Sequence, residues 1–151
     1  MIYIASDHRG FELKKKILKD HPDYLDLGPH TLDPEDVYNE YEANLAINVR
    51  DASNATQTAD PPSFGIIICG SAHGVAIEAN RFKGIRAIVG LTPELAKIGR
   101  EHNNANVLCL SADFTPEKDI PEIIKTFLDT KTKTDEKYAR RNVKLDKYGE
   151  N

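Results

Sequence analysis

Cysteine is scarce in this chain, two in 151 residues, and neither belongs to a CxxC pair. The five histidines, at positions 8, 21, 30, 73 and 102, form no HxH or HxxxH pair, so no metal site is expected. Neither GxGxxG nor GxxxxGK[ST] occurs, and "GSAHG" is too short for a dinucleotide fingerprint. No apolar run approaches the roughly 20 residues that span a bilayer, so no membrane association is expected. The chain enters "MIYIAS" without a charged leader, which together with the two cysteines points to a reducing cytoplasm.

Basic residues are missing from 20–49, where eight acidic side chains stand with no Lys or Arg. With a formal net charge of −4 the chain lacks the field that non-specific nucleic-acid binding requires, and no nucleic-acid partner is expected. The last 21 residues reverse the pattern, seven basic against four acidic, which reads as a local anion site or a solvated helix face.

What is present is an alternation. "IYIA" (2–5), "YLDL" (24–27), "FGIIIC" (64–69), "IRAIVG" (85–90) and "NVLCL" (106–110) read as strands. Between them, "GFELKKKILKDH" puts Phe11, Leu13, Ile17 and Leu18 on one helical stripe, and "YEANLAINVRDA" does the same with Tyr41, Leu45 and Val49. "TPELAKIGREHN" opens with Thr92 as N-cap and Pro93 in the first turn. Strand and helix repeated this way predict one α/β domain over 1–151, a flavodoxin-like (Rossmann-type) doubly wound fold with a five-stranded parallel sheet of order 2-1-3-4-5. Two stretches stand outside the pattern. Residues 53–63 read as a surface loop, and 131–151 as a charged helical tail with too little apolar surface to fold alone. The tail is expected to dock, on a partner subunit in the first instance.

Ligands of such sheets bind beyond the carboxyl ends of the strands, which nominates Ser6, Asp7 and His8, then Cys69 to Gly74, then Leu91 and Thr92. Cys69 is followed by Gly70, Ser71, Ala72, His73 and Gly74, after which "VAIEAN" reads as a helix. Free backbone N–H groups at a helix start favour thiolate over thiol and stabilise an oxyanion. Free cysteine is also among the most buried residue types, so spacing alone leaves Cys69 either core or reactive, while Cys109 reads as core. Ser6 and Asp7 are equally at home as helix caps, and His102 as part of a polar helix end with Asn103, Asn104 and Asn106.

Taken in order, "IASDHRGFELK", "CGSAHGVAIEANRFKGIRA" and "REHNNANVLCL" resemble the ribose-5-phosphate isomerase B family, which includes the galactose-6-phosphate isomerase subunits. The resemblance implies a metal-free, cofactor-free aldose–ketose isomerase working through a cis-enediolate. It also implies a homodimer, or a dimer of dimers, with shared sites at the interface. It makes Cys69 the base that moves the proton between C2 and C1, and Ser71 the hydroxyl that helps move a proton between oxygens. His102 becomes the residue that helps open the furanose ring. Gly70, Ala72, His73 and Gly74 become the anion hole; Asp7, His8, Tyr38 and Asn103 become sugar contacts; Lys137, Arg140 and Arg141 become phosphate contacts.

The departures are equally specific. Val75 stands where some relatives carry an alternative glutamate base, Ala72 where glycine is usual, and Asp113 where a phosphate-binding arginine is usual. The activity that the resemblance implies is ribose 5-phosphate to ribulose 5-phosphate. The alternatives are isomerisation of another aldose phosphate, such as a hexose 6-phosphate, and a non-catalytic phosphosugar-binding module.

Overall fold

The short β-branched runs become five strands of one parallel sheet: β1 (Ile2–Ser6), β2 (Leu25–Asp26), β3 (Phe64–Cys69), β4 (Ala87–Val89) and β5 (Val107–Ser111). The amphipathic runs become α1 (Phe11–Asp20), α2 (Asn39–Thr56), α3 (His73–Ala79), α4 (Pro93–Asn103), α5 (Ile120–Asp129) and α6 (Glu136–Leu145). This computed structural model describes residues 1–35, 39–56 and 63–148.

The doubly wound α/β class is as expected, but the strand order is 2-1-3-5-4 rather than 2-1-3-4-5. Burial favours the exchange of the last two strands. All five residues of β5 are buried, which suits an interior position between β3 and β4, whereas the three residues of β4 are half-exposed and suit an edge. With right-handed crossovers, running outward to β4 and back to β5 carries α4 to the face opposite α3, so α2 and α3 cover one face while α1, α4 and α5 cover the other.

Two apolar layers result. Leu45, Ala46 and Val49 of α2 and Val75, Ala76 and Ala79 of α3 pack on Ile67, Cys69, Val107 and Cys109. On the opposite face, Ile17, Ala96, Ile120, Ile123, Ile124 and Phe127 pack on Ile4, Ile66, Ile68, Leu108 and Leu110. Each Val, Leu, Ile or Phe among them contributes roughly 1.5–3 kcal/mol when fully buried. Helix α5 goes beyond the elements expected from the sequence, although Ile120, Ile123, Ile124 and Phe127 carry the i, i+3, i+4, i+7 spacing of a helix that buries one face.

Helix α4 starts as expected, the Thr92 hydroxyl accepting from the Leu95 N–H at 3.2 Å, and ends at Asn104 in the left-handed conformation (φ 47°). The polar stretch from residue 53 begins differently from expectation, because α2 continues to Thr56; residues 57–62 lie outside the described residues.

Lys14 is buried within the amphipathic stripe of α1, its Nζ donating to Asp26 Oδ1 at 2.5 Å and to the Pro29 carbonyl at 2.7 Å. Burial pushes its amine below the usual lysine value, against the opposing pull of Asp26. Among the described residues no helix is long and apolar enough to cross a membrane.

Candidate active site

β1 and β3 are neighbours whose connections leave toward opposite faces of the sheet, since α1 covers one face and α3 the other. That divergence opens a crevice at their carboxyl ends, the usual ligand position of a doubly wound sheet. A pocket of about 300 Å³ lies there, lined by Asp7, Arg9, Cys69, Gly70, Ser71, Gly74, Val75, Asp113 and Phe114.

The floor is held together by backbone. Asp7 N–H donates to the Ile68 carbonyl at 3.0 Å, and Asp7 Oδ1 accepts from Gly10 N–H at 2.7 Å, so Asp7 serves both the start of α1 and the pocket wall. Gly10 has to be glycine: a Cβ there would meet the Ile68 carbonyl oxygen at 2.4 Å, and backbone cannot yield as a side chain can. From β5, Ala112 N–H donates to the Cys69 carbonyl at 2.9 Å. The Ser111 hydroxyl donates to the Gly70 carbonyl at 2.6 Å and accepts from Phe114 N–H. The segment after β5 thereby fixes the turn that carries the thiol.

Cys69 ends β3 at 6% exposure, so it is both part of the apolar layer and open to the pocket. Its Sγ accepts from Ala72 N–H at 3.0 Å. Ala72 is buried in the left-handed region (φ 66°), where an L residue is strained by about 1 kcal/mol, and this bend aims its N–H at the sulfur. The sequence predicts a thiol lowered by these N–H groups, and here the structure corrects the expectation. Burial and the Asp7 carboxylate outweigh the N–H groups of Ala72, Ser71 and Val75, and the Cys69 thiol stands above its ordinary value. Cys109, fully buried behind it, is raised further by burial.

The raised thiol has a measurable consequence. Iodoacetamide labelling of Cys69 is expected to climb through pH 9 and to run slower at pH 7 than labelling of a free cysteine, with Cys109 unlabelled. A labelling rate that levels off below pH 8 would contradict the direction of the shift.

Behind the pocket wall lies Glu42 of α2, 0% exposed, with neither carboxylate oxygen hydrogen-bonded among the described residues. Burial first, then the nearby Glu78 carboxylate and Asp7, push its carboxyl up to about 9, so it carries a proton at neutral pH. The buried Ser6 hydroxyl at the end of β1 is likewise unpaired among the described residues.

Of the expected site residues, the structure brings together Asp7, Cys69, Gly70, Ser71 and Gly74, with Ala72 contributing its N–H from beneath. His8, half-buried beside Asp7, and His73, exposed with Nδ1 2.9 Å from the Ser71 carbonyl oxygen, flank the pocket without lining it. Tyr38 lies outside the described residues.

His102, Asn103, Lys137, Arg140 and Arg141 are elsewhere. Helix α4 starts beside the carboxyl ends of the strands and runs back, so His102 and Asn103 lie by the amino end of β5, where Val107 pairs with Gly65. Four residue steps of β3, about 13 Å at the usual rise, separate that level from Cys69. Helix α6 stays at this far end on its own chain. The Tyr138 ring stacks on His102 at 4.4 Å, Asn142 Nδ2 donates to the His102 carbonyl at 3.2 Å, and Asp146 pairs with Arg86 at 2.7 Å. Lys137, Arg140 and Arg141 are exposed on it.

Sequence reasoning missed Arg9 as a pocket residue. It pairs with Asp113 across the pocket mouth, joining the ends of β1 and β5. No spacing rule connects positions 9 and 113; the strand order does.

Comparison with known proteins places the chain in a family. A family model described as Ribose/Galactose Isomerase matches residues 2–145. A Mycoplasma pneumoniae protein described as a probable ribose-5-phosphate isomerase B is 44% identical over 132 residues, 84% of this chain and 81% of its own. The ribose-5-phosphate isomerase B of Mycolicibacterium paratuberculosis is 31% identical over 93% of this chain and 86% of its own. Among solved structures, the Mycoplasma genitalium ribose-5-phosphate isomerase B with bound ribulose 5-phosphate superposes with a TM-score of 0.87 at 34% identity, covering 97% of this chain and 94% of that one. The Thermotoga maritima enzyme gives 0.80 at 36% identity, covering 96% of each chain. The chain thus belongs to the ribose/galactose isomerase family and is an aldose–ketose isomerase.

Proposed function

We propose that the protein interconverts ribose 5-phosphate and ribulose 5-phosphate, with Cys69 as the base, in a site completed by a second copy of the chain. The observation that carries the first part is the pocket's choice of bases. Three lining side chains could accept a proton: Asp7, tied to the start of α1 through Gly10 N–H; Asp113, neutralised by Arg9; and Cys69, whose Sγ is held toward the pocket by Ala72 N–H. Val75 contributes only an apolar wall. Removing a proton beside a carbonyl needs a base held against that carbon, and a thiolate raised by burial is a stronger base than either engaged carboxylate.

Once the sugar ring is open, the Cys69 thiolate takes the proton from C2. The C2–H electrons form the C1–C2 double bond, and the former carbonyl electrons move onto O1. Backbone N–H groups of the 70–74 turn stabilise the enediolate charge as it develops. The Ser71 hydroxyl, half-buried in the pocket, passes a proton from O2 to O1, and the thiol returns its proton to C1, leaving the ketone at C2. The reaction is neutral in electrons and needs no co-reactant.

The second part rests on distance. His102, which the resemblance makes the ring-opening acid and base, stands at the other end of the sheet from Cys69 with Asn103 and the exposed Lys137, Arg140 and Arg141. A twofold homodimer brings the far end of one chain to the pocket of the other, because a self-complementary interface pairs each surface with its mate. Exposed Val143 and Leu145 on α6 supply apolar surface for that contact, so the tail serves both its own α4 and the partner. The two unpaired cysteines fit a reducing cytoplasm.

The test is a panel of pentose and hexose phosphates followed by proton exchange at C2 in deuterated water. Ribose 5-phosphate is expected to exchange and to yield ribulose 5-phosphate. Exchange with a hexose 6-phosphate alone would redirect the substrate, and binding without exchange would overturn the catalytic reading.

A further inference from the structure

Arg9 and Asp113 reach the pocket mouth from different strand ends and form an ion pair directly above the turn that carries Cys69. Gly70 is what lets them lie so close. A Cβ on residue 70 would stand 2.8 Å from both Arg9 Nε and Asp113 Oδ2, so the pair fills the space a side chain there would take.

The pair has little to do for stability. Its side chains are 59% and 33% exposed, and a solvent-exposed ion pair contributes about 0–1 kcal/mol. Its position matters more. Asp113 is held on both sides, by Arg9 at its carboxylate and by its own N–H donating to the Gly70 carbonyl at 3.1 Å. Among the described residues Arg9 is the one Lys or Arg that lines the pocket, while Asp7 and Asp113 are the carboxylates that line it. A guanidinium offers five N–H donors in a planar fork. Asp113 engages it through Nη2, which leaves other donors for a phosphate dianion, the group that this fork matches in a two-bond contact.

We propose that Arg9 binds the phosphate group of the sugar phosphate and that Asp113 positions its guanidinium for that contact. The pair then accounts for an aspartate where the resemblance sets a phosphate-binding arginine: the carboxylate addresses Arg9, and Arg9 faces the anion. Arg9 is the binding residue and Asp113 the positioning residue. The inference rests on the reading of the pocket as a phosphosugar site.

Binding separates this inference from that reading. Ribose 5-phosphate, inorganic phosphate and unphosphorylated ribose are titrated by calorimetry into wild type, Arg9→Gln, Arg9→Lys and Asp113→Asn, with C2 exchange measured beside each and thermal melts confirming the fold. Arg9→Gln is expected to weaken both phosphate ligands at least tenfold and to leave ribose unchanged, with Arg9→Lys intermediate. Asp113→Asn removes a negative charge near the ligand, yet is expected to weaken ribose 5-phosphate severalfold, because the guanidinium loses its orientation. Tighter binding by Asp113→Asn would show simple repulsion and overturn the positioning role. Phosphate affinities of Arg9→Gln within twofold of wild type would overturn the proposal. Arg9-dependent binding without exchange in the wild type would support it while removing the isomerase reading; a wild type that binds neither phosphate ligand would overturn both.

Discussion

Cys69→Ala is expected to lower turnover of ribose 5-phosphate by about a thousandfold, within the range lost when a positioned general base is removed. The reason is local. Asp7 and Asp113 already accept from Gly10 N–H and Arg9, and Val75 carries no proton acceptor, so nothing else lining the pocket replaces the thiolate. The substitution removes one sulfur from a site 6% exposed, and the Ile66–Ile68 core beneath it stays intact. Melting temperature should therefore fall by only a few degrees while activity collapses. Cys69→Ser should be nearly as poor, because a serine hydroxyl is a far weaker acid than a thiol and is not ionised in the working range. Turnover of Cys69→Ala within tenfold of wild type, measured on ribose 5-phosphate, would remove the thiol from the mechanism.

Glu42→Gln is expected to stabilise the protein, and by more as pH rises. The folded carboxyl titrates at about 9, against 4.5 when exposed. With the folded value raised, Glu42 costs nothing below the unfolded value and takes away stability progressively as pH climbs from 4.5 toward 9. At pH 7 the group has cost about 3 kcal/mol, at roughly 1.4 kcal/mol per pH unit. The glutamine amide is still buried and poorly paired, which returns about 1–2 kcal/mol of that gain. The net increase is therefore about 1–2 kcal/mol at pH 7, and it widens toward pH 9. Urea unfolding at pH 6, 7.5 and 9 measures it; equal stability of variant and wild type at all three values would mean that Glu42 is ionised in the fold.

The parts of the fold that could be read from the sequence are those set by local pattern. "FGIIIC" gave β3 its full extent, Thr92 and Pro93 marked the start of α4, and the left-handed Asn104 lay within the asparagine cluster at its end. Strand order was not local. It depended on how three residues of β4 and five of β5 divide edge from interior. Lys14 sits at a helix position that polarity assigns to solvent, and only the approach of Asp26 and Pro29 from the β2 side makes its burial possible.

The site divides in the same way. Asp7, Cys69 and Ser71 were nominated by the rule that strand carboxyl ends hold ligands, and the pocket gathers them. The direction of the Cys69 shift was not legible, because a helix start can be seen in sequence whereas the burial of the thiol and the approach of Asp7 cannot. His102 was nominated by resemblance alone, and its distance from Cys69 appears only once α4 is seen to run back along the sheet.

That distance makes one mixture decisive. Cys69→Ala and His102→Gln, each inactive alone, are co-expressed so that mixed dimers form. Every mixed dimer then holds one pocket with both substitutions and one with neither. Random pairing makes half of the dimers mixed, so about a quarter of wild-type isomerase activity should return. No recovery, with mixed dimers present by differential tagging, would contradict a site in which Cys69 of one chain works with His102 of the other.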